Sequence, residues 1–531
     1  MNPTIIAFVH AAVRSRGLAA LILGVALATS PATAASQPAP LAGLDAFVER
    51  GMADWGIPGL AVAVVKDDRV VYARGYGVLG LEDPRPVDEH TLFGIASVSK
   101  AFTAAALGIL VDEGRIHWDD PVVKHLPAFR LYDPYVTQTV TIRDLLSHRV
   151  GVGRITGNRL RWLPSRDHDE HIRRLRHLPP EQTFRDGYVY SNAMYMVAGQ
   201  IITAVTGESW GDFVERRLFG PLGMTRSNTS ITRTADGENA ALPHQEIDGR
   251  VVSIPPRNFD AVGPAASINA SVAELTSWMR LHLGEPGVLD GRRILSEATV
   301  REMHRSQNRI PDAGLTGDLG AYGLGFGLGY YEGVRRSSHS GATDGMNTNL
   351  VLVPELNLGI VITTNTFNTF MSSVANRILD RYLGIEDRDW HATHHQAYLR
   401  QKERAQATRD SIHAARESGT TPSLPVRAYA GAYYDSLYAD ARVDVHGNAL
   451  VLTFWDDPDM VADLEHWHHD TFRAVWRNRS MREEFVHFTR DRDGRVDALH
   501  IEWVLRPQLL QVGAYPSGYT REARLERVDG S

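Results

Sequence analysis

The segment Phe93-Gly94-Ile95-Ala96-Ser97-Val98-Ser99-Lys100-Ala101-Phe102 decides how this chain is read. It opens an Ala- and Leu-rich run to Glu113, with no Pro and no Gly before Gly108, which predicts a helix starting at Ser97. Positions i and i+3 then share a face, so the Lys100 amine can fold back onto the Ser97 hydroxyl. The helix N-terminus adds a field favouring negative charge and a backbone N–H for an oxyanion. Ile95, Ala101 and Phe102 would desolvate the amine and lower its pKa from about 10.4. The lysine is informative in itself. The chain has only Lys66, Lys100, Lys124 and Lys402 among 56 Lys+Arg, and arginine cannot deprotonate to serve as a base. Taken alone, Ser-x-x-Lys reads as readily as a capping serine beside a solvated lysine.

Two further segments change that balance. Gly187-Tyr188-Val189-Tyr190-Ser191-Asn192 precedes a helical stretch from Ala193 to Val205. Tyr190 offers a phenol that can shuttle a proton beside a lysine, and Asn192 can hold both the lysine and a substrate amide. Its alternative is an aromatic strand end packed into the core. Ser338-His339-Ser340-Gly341-Ala342 opens a Gly-rich strand edge. Gly341 would admit a substrate backbone, and the Ala342 N–H could complete an oxyanion hole. A plain β-turn is the alternative there.

In this order the three motifs resemble those of the penicillin-recognising serine hydrolases: class C β-lactamases, D-aminopeptidases, D,D-carboxypeptidases and related esterases. The resemblance runs from about Leu44 to Leu383. It includes Thr141-Ile142-Arg143-Asp144-Leu145-Leu146-Ser147-His148 and Leu218-Phe219-Gly220-Pro221-Leu222-Gly223-Met224. The stretch Leu464-Glu465-His466-Trp467-His468-His469-Asp470-Thr471-Phe472 looks like part of the β-rich accessory domain that many members carry. The resemblance implies acylation of Ser97, with Lys100 and Tyr190 sharing the general-base role and the Ser97 and Ala342 amides binding the oxyanion. It implies substrate contacts from Asn192, His339, Gly341 and Ala342, and neither metal nor organic cofactor. Ser191 reads as structural, and Pro264-Ala265-Ala266-Ser267 as the far side of the cleft.

One departure bears on the substrate. β-Lactamases and penicillin-binding enzymes usually carry Lys-Thr-Gly at the third motif, where this chain has His339-Ser340-Gly341. A neutral histidine is a weaker carboxylate anchor than lysine. The expectation is therefore a peptidase or amidase acting on small or linear peptides, including D-residue-containing or non-ribosomal ones such as linearised cyanobacterial toxins. A carboxylesterase is the alternative, with β-lactamase or D,D-carboxypeptidase activity behind it and a peptidoglycan-binding sensor as the non-enzymatic reading. His339 either binds substrate or hydrogen-bonds Tyr190. His148 reads as structural, His391, His394 and His395 as solvated, and Arg173-Arg174-Leu175-Arg176 as a helix face. His466, His468 and His469 have too few acidic neighbours to suggest a metal site.

Around the motifs, the chain reads as α+β. A helix is predicted at Leu44–Trp55, a hairpin at Gly59–Val65 and Arg69–Tyr76, strands at Asn349–Val353 and Gly359–Thr364, and a helix at Met371–Tyr382. Strands at both ends of this region share one antiparallel sheet flanked by helices, with an all-helical subdomain between them, as in the β-lactamase fold. A β-rich, barrel-like domain of short strands follows. The expected domains are a signal peptide at 1–34, the hydrolase at 40–386, a charged helical linker at 387–425 and the accessory domain at 426–531. Arg14 and Arg16, the apolar run Leu18–Ala28 and Ala32-Thr33-Ala34 follow the grammar of a secretory signal. That places the protein in the periplasm or outside the cell, without a stable membrane anchor after cleavage. A net charge of −7 and no basic tract exclude a nucleic-acid partner, and the absence of Cys excludes thiolate chemistry. The partners expected are a small-molecule or peptide substrate and, optionally, further copies of the chain in an oligomer.

Overall fold

The computed structural model describes residues 39–153, 168–235, 237–310, 320–386, 388–481, 483–502 and 522–528. The signal-like segment lies outside these described residues.

Leu44, Phe47, Val48, Met52 and Trp55 recur at helical spacing and form the buried face of α1 (Leu44–Trp55). The chain then enters β1 (Gly59–Lys66), turns through Asp67 and Asp68 at φ 51 and 61, and returns as β2 (Arg69–Gly80). Two successive positive φ values suit the right-handed twist of a tight hairpin. A short β3 (Asp83–Pro86) follows. The remaining strands of this sheet come much later: β4 (Asn308–Arg309), β5 (Ala321–Tyr322), β6 (Gly327–Tyr331), β7 (Val334–Thr343), β8 (Met346–Val353) and β9 (Leu358–Thr364). Among the described residues the sheet has nine antiparallel strands in the order β4-β5-β6-β7-β8-β9-β1-β2-β3. Leu60 of β1 stands opposite Thr364 of β9, so the two ends of the domain share one sheet, as the sequence predicts.

Alternation along β1 divides the core in two. Leu60, Val62 and Val64 pack with α1 and a later helix, Phe370–Tyr382. Ala61, Ala63 and Val65 face the helices that carry the site. Chief among these is α2 (Ser99–Asp112), which is buried on all sides from Ser99 to Leu110. A Cβ on Gly108 would lie 2.4 Å from Thr299 Cγ2, so glycine there lets the helix Glu297–Met303 approach closely. The helix starts two residues later than predicted, because Ala96–Val98 forms a 3-10 turn. Ala96 opens that turn at a φ of 50, outside the right-handed helical region.

After Phe370–Tyr382, a long helix, Trp390–Ala414, leads to an eight-stranded closed barrel among the described residues. Its strands are β10 (Gly431–Asp435), β11 (Ala439–His446), β12 (Ala449–Phe454), β13 (Val461–His468), β14 (Thr471–Trp476), β15 (Glu484–Arg490), β16 (Val496–Glu502) and β17 (Glu522–Val528). Closure leaves no open sheet edge. The loops of one barrel end meet the hydrolase region. Arg174 Nη1 donates to Ser436 O at 3.1 Å, and Gln245 Nε2 donates to Ser480 O at 3.1 Å.

The long helix corrects one expectation. His391, His394 and His395 are not solvated but form its docking face. The His391 ring lies 6.4 Å from Phe47, His395 5.0 Å from Trp55, and His394 Nδ1 2.9 Å from Ser373 Oγ. Imidazoles at i, i+3 and i+4 make an amphipathic stripe without aliphatic residues. In the barrel, His466 Nε2 lies 3.0 Å from His469 O, while His469 Nε2 lies 2.9 Å from Glu417 Oε2.

Candidate active site

Ser97 lies at the middle of the 3-10 turn, one residue after the strained Ala96. Holding alanine at positive φ costs on the order of 1 kcal/mol. The turn aims the Ser97 side chain into a ring of polar atoms. Lys100 Nζ stands 3.0 Å from Ser97 Oγ, and the Tyr190 hydroxyl donates to the same Oγ at 2.8 Å. Sequence separation i to i+3 brings the lysine in, while Tyr190 arrives from 93 residues away.

Lys100 has no solvent exposure. Its amine lies 2.6 Å from Asn192 Oδ1 and 3.0 Å from Ala265 O, besides Ser97 Oγ. No carboxylate stands among these partners. The faces of Tyr190 and Tyr195, 4.7 and 5.4 Å from Nζ, favour a cation. Burial outweighs them and holds the Lys100 pKa well below the usual lysine value.

Each partner is fixed from behind. Asn192 is the first residue of the helix Asn192–Thr206, whose cap Ser191 accepts the Met194 N–H at 3.3 Å. Ser191 is thus structural, as read from the sequence. Ala265 belongs to the short turn Gly263–Ala266. Thr103 Oγ1 ties that turn to α2 by donating to Pro264 O at 2.7 Å, and the Trp210 indole N–H donates to the same Thr103 oxygen at 2.9 Å.

On the other side, β7 runs past Ser97. A Cβ on Gly341 would lie 2.2 Å from Ile95 O and 3.0 Å from Ser97 N, so only glycine lets the strand lie this close. Ser340 and Ala342 face outward and are exposed. His339 points inward, 8% exposed. Its Nδ1 lies 2.7 Å from Ser340 O and its Nε2 2.8 Å from the Tyr322 hydroxyl. The Tyr190 and His339 rings lie 6.4 Å apart, and of the two readings of His339 the hydrogen bond to a tyrosine goes to Tyr322 instead of Tyr190.

Two further residues support the site: His148, read from the sequence as structural, and Tyr322, which the sequence reading does not single out. His148, at φ 59, places its ring 4.3 Å from Tyr190 and 4.7 Å from Tyr322. Its Nδ1 accepts the Ser191 N–H at 3.1 Å and its carbonyl the Val189 N–H at 2.9 Å, which clamps the backbone on both sides of Tyr190. Tyr322 is fully enclosed beside it. Nothing local marks Tyr322, because its partners lie far off in sequence. The arrangement can do acyl transfer: a hydroxyl at a helix start, an amine without a counter-charge, a phenol, and a strand edge carrying N–H groups.

Comparison with known proteins gives the same outline. The family model described as Beta-lactamase matches residues 44–384, and a domain of unknown function, DUF3471, matches residues 415–512. An unguisins hydrolase from Aspergillus campestris is 30% identical over 75% of this chain and 76% of its own. Penicillin-binding protein 4 from Amycolatopsis lactamdurans is 29% identical over 62% of this chain and 87% of its own. Among solved structures, an octameric penicillin-binding protein homologue from Pyrococcus abyssi superposes with a TM-score of 0.59 at 21% identity, covering 91% of this chain and 99% of that one.

Proposed function

The chain belongs to the Beta-lactamase family of serine hydrolases, and we propose that it cleaves amide bonds of small or linear peptides through an acyl-enzyme on Ser97. The observation that carries this reading is the set of partners around Lys100 Nζ. A neutral amine has two hydrogens and one lone pair. The two carbonyl acceptors, Asn192 Oδ1 and Ala265 O, use the two hydrogens, and the lone pair then faces Ser97 Oγ. A buried amine without a carboxylate partner suits that state.

In acylation, the Ser97 hydroxyl gives its proton to Lys100 Nζ as Oγ attacks the carbonyl carbon. The Ser97 and Ala342 N–H groups hold the oxyanion. Collapse expels the amine, which takes a proton from the Tyr190 phenol. Water then attacks the ester, giving its proton to the Tyr190 phenolate, and Lys100 returns its proton to Ser97 Oγ. Atoms and charge balance without a metal or cofactor step.

A peptide substrate is favoured by the edge of β7. Among the described residues, β6 pairs with β7 only as far as Ser338, so the edge from His339 to Thr343 can take an extended chain through main-chain hydrogen bonds. The relative named as a hydrolase of unguisins supports a hydrolytic reading. Export to the periplasm or medium rests on the N-terminal sequence. No helix among the described residues is long and apolar enough to cross a membrane. A panel of aminoacyl amides, linear peptides, nitrophenyl esters and nitrocefin, run on wild type and Ser97→Ala, tests the assignment. Amide turnover lost in the variant supports it; turnover of esters alone makes the protein an esterase, and persistence of amide turnover in Ser97→Ala removes the mechanism.

A further inference from the structure

His339 stands where β-lactamases and penicillin-binding enzymes usually carry a lysine, yet its chemistry here is set by a residue outside the three motifs. Ser340 O can only accept, so the 2.7 Å contact requires a hydrogen on His339 Nδ1. Burial, reinforced by the nearby Lys100 amine, pushes the imidazole pKa down to about 3. The ring is therefore neutral and Nε2 is a bare lone pair. The 2.8 Å contact between Nε2 and the Tyr322 hydroxyl then has one polarity: Tyr322 donates. Tyr322 is 2% exposed, and its burial keeps the phenol protonated. His148 backs it at 4.7 Å and Tyr188 at 5.8 Å. The titratable groups around His339 are thus Lys100 from α2, Tyr190 from the segment before Asn192–Thr206, and Tyr322 from β5.

We propose that Tyr322 is a positioning residue that sets acyl-donor specificity: by donating to His339 Nε2 it keeps the imidazole neutral and saturated, and so leaves the cleft beside Ser97 without a cation for a substrate carboxylate. The inference rests on the acyl-enzyme reading above and narrows its substrate class. The preferred donors are amides, esters and peptide bonds remote from a free C-terminal carboxylate. Substrates with a carboxylate next to the scissile bond, penicillins and terminal dipeptides among them, must leave that charge unanswered. Without the Tyr322 hydroxyl, Nε2 can take a proton, and the resulting Nε2–H of the imidazolium can donate to a substrate carboxylate.

The test compares two peptides that differ only in a C-terminal carboxylate or carboxamide next to the scissile bond. Full-length wild type and Tyr322→Phe are assayed at pH 5.5 and pH 8. Wild type is expected to prefer the carboxamide at both values. In the variant, the ratio of kcat/KM for carboxylate over carboxamide is expected to rise at least fivefold at pH 5.5 and less at pH 8. A merely structural role would lower both substrates together and leave the ratio alone. Histidine-selective 15N NMR, assigned with His339→Gln, is the second measurement and needs no folded Tyr322 variant. His339 is expected to remain the neutral Nδ1–H tautomer down to pH 4 in wild type. A ratio unchanged within twofold at both pH values, or a wild-type His339 that titrates near 6.5, overturns the proposal. If wild type turns over neither peptide nor any ester, the acyl-enzyme reading fails instead.

Discussion

Gly341 lies against the backbone of Ile95 so closely that a methyl group in its place would stand 2.2 Å from the Ile95 carbonyl oxygen. The contact sets the distance between β7 and Ser97. Gly341→Ala should push the strand away by about 1 Å and reduce kcat/KM about a hundredfold, the usual consequence of misplacing an acyl-transfer site by that much. Steady-state kinetics on a nitrophenyl ester checks this. Circular dichroism should show the fold retained, because the displaced strand end is short.

Lys100 should not be replaceable by arginine. Lys100→Arg introduces a permanent cation that cannot accept the Ser97 proton, and Lys100→Met removes the base while filling the pocket. Both are expected to lower kcat by about a thousandfold or more. Lys100→Met should be at least as stable to urea as wild type, since an amine whose pKa is held down by burial must give up a proton on folding at neutral pH. A catalytically competent Lys100→Arg would contradict the base assignment.

The acid limb of the pH profile should belong to Lys100 and not to a histidine. The amine must be neutral to act, so kcat/KM falls as pH drops through its depressed pKa. His339, pushed to about 3, is already neutral throughout the neutral range. His339→Gln should therefore leave the position of that limb where it is in wild type, whatever it does to kcat/KM.

Buried histidines should also govern acid stability. His304 is enclosed between Ser337 and His282, 3.0 Å from a polar atom of each, and burial lowers its pKa to about 4. Unfolded histidine binds a proton near pH 6.5, so the unfolded chain takes up protons first as pH falls. The contribution to stability is fully present above about 6.5 and declines between about 6.5 and 4. Urea midpoints should fall across that window, and His304→Gln should flatten the slope.

The helix Trp390–Ala414 should depend on rings more than on charge. Trp55 meets Tyr398 at 4.9 Å and His395 at 5.0 Å, whereas Lys402 reaches Glu246 in a half-exposed pair at 2.5 Å. Trp55→Ala should cost about 3 kcal/mol and speed proteolysis within the helix. Lys402→Ala should cost less than about 1 kcal/mol. Urea denaturation and limited proteolysis separate the two.

Much of this molecule was legible in its residues for local reasons. The hairpin from Gly59 to Gly80 follows from β-rich runs around Asp67-Asp68, and the Ser97–Lys100 pair from helical spacing. What escaped depends on distant partners. In β13 (Val461–His468) a shift of register between His466 and His468 breaks the period of two that marks a strand. Tyr322 looks like an ordinary core residue until chain folding brings it to His339. The turn before α2 opens on the positive φ of Ala96, which nothing in an alanine announces.

The central claim, that Ser97 becomes acylated with Lys100 as base, is tested most directly by intact mass and peptide mapping after treatment with a fluorophosphonate. The account predicts one adduct per wild-type chain, mapped to Ser97, with none in Ser97→Ala and slowed labelling in Lys100→Met. An adduct that persists in Ser97→Ala, or a wild-type chain that stays unlabelled while hydrolysing substrate, would contradict it.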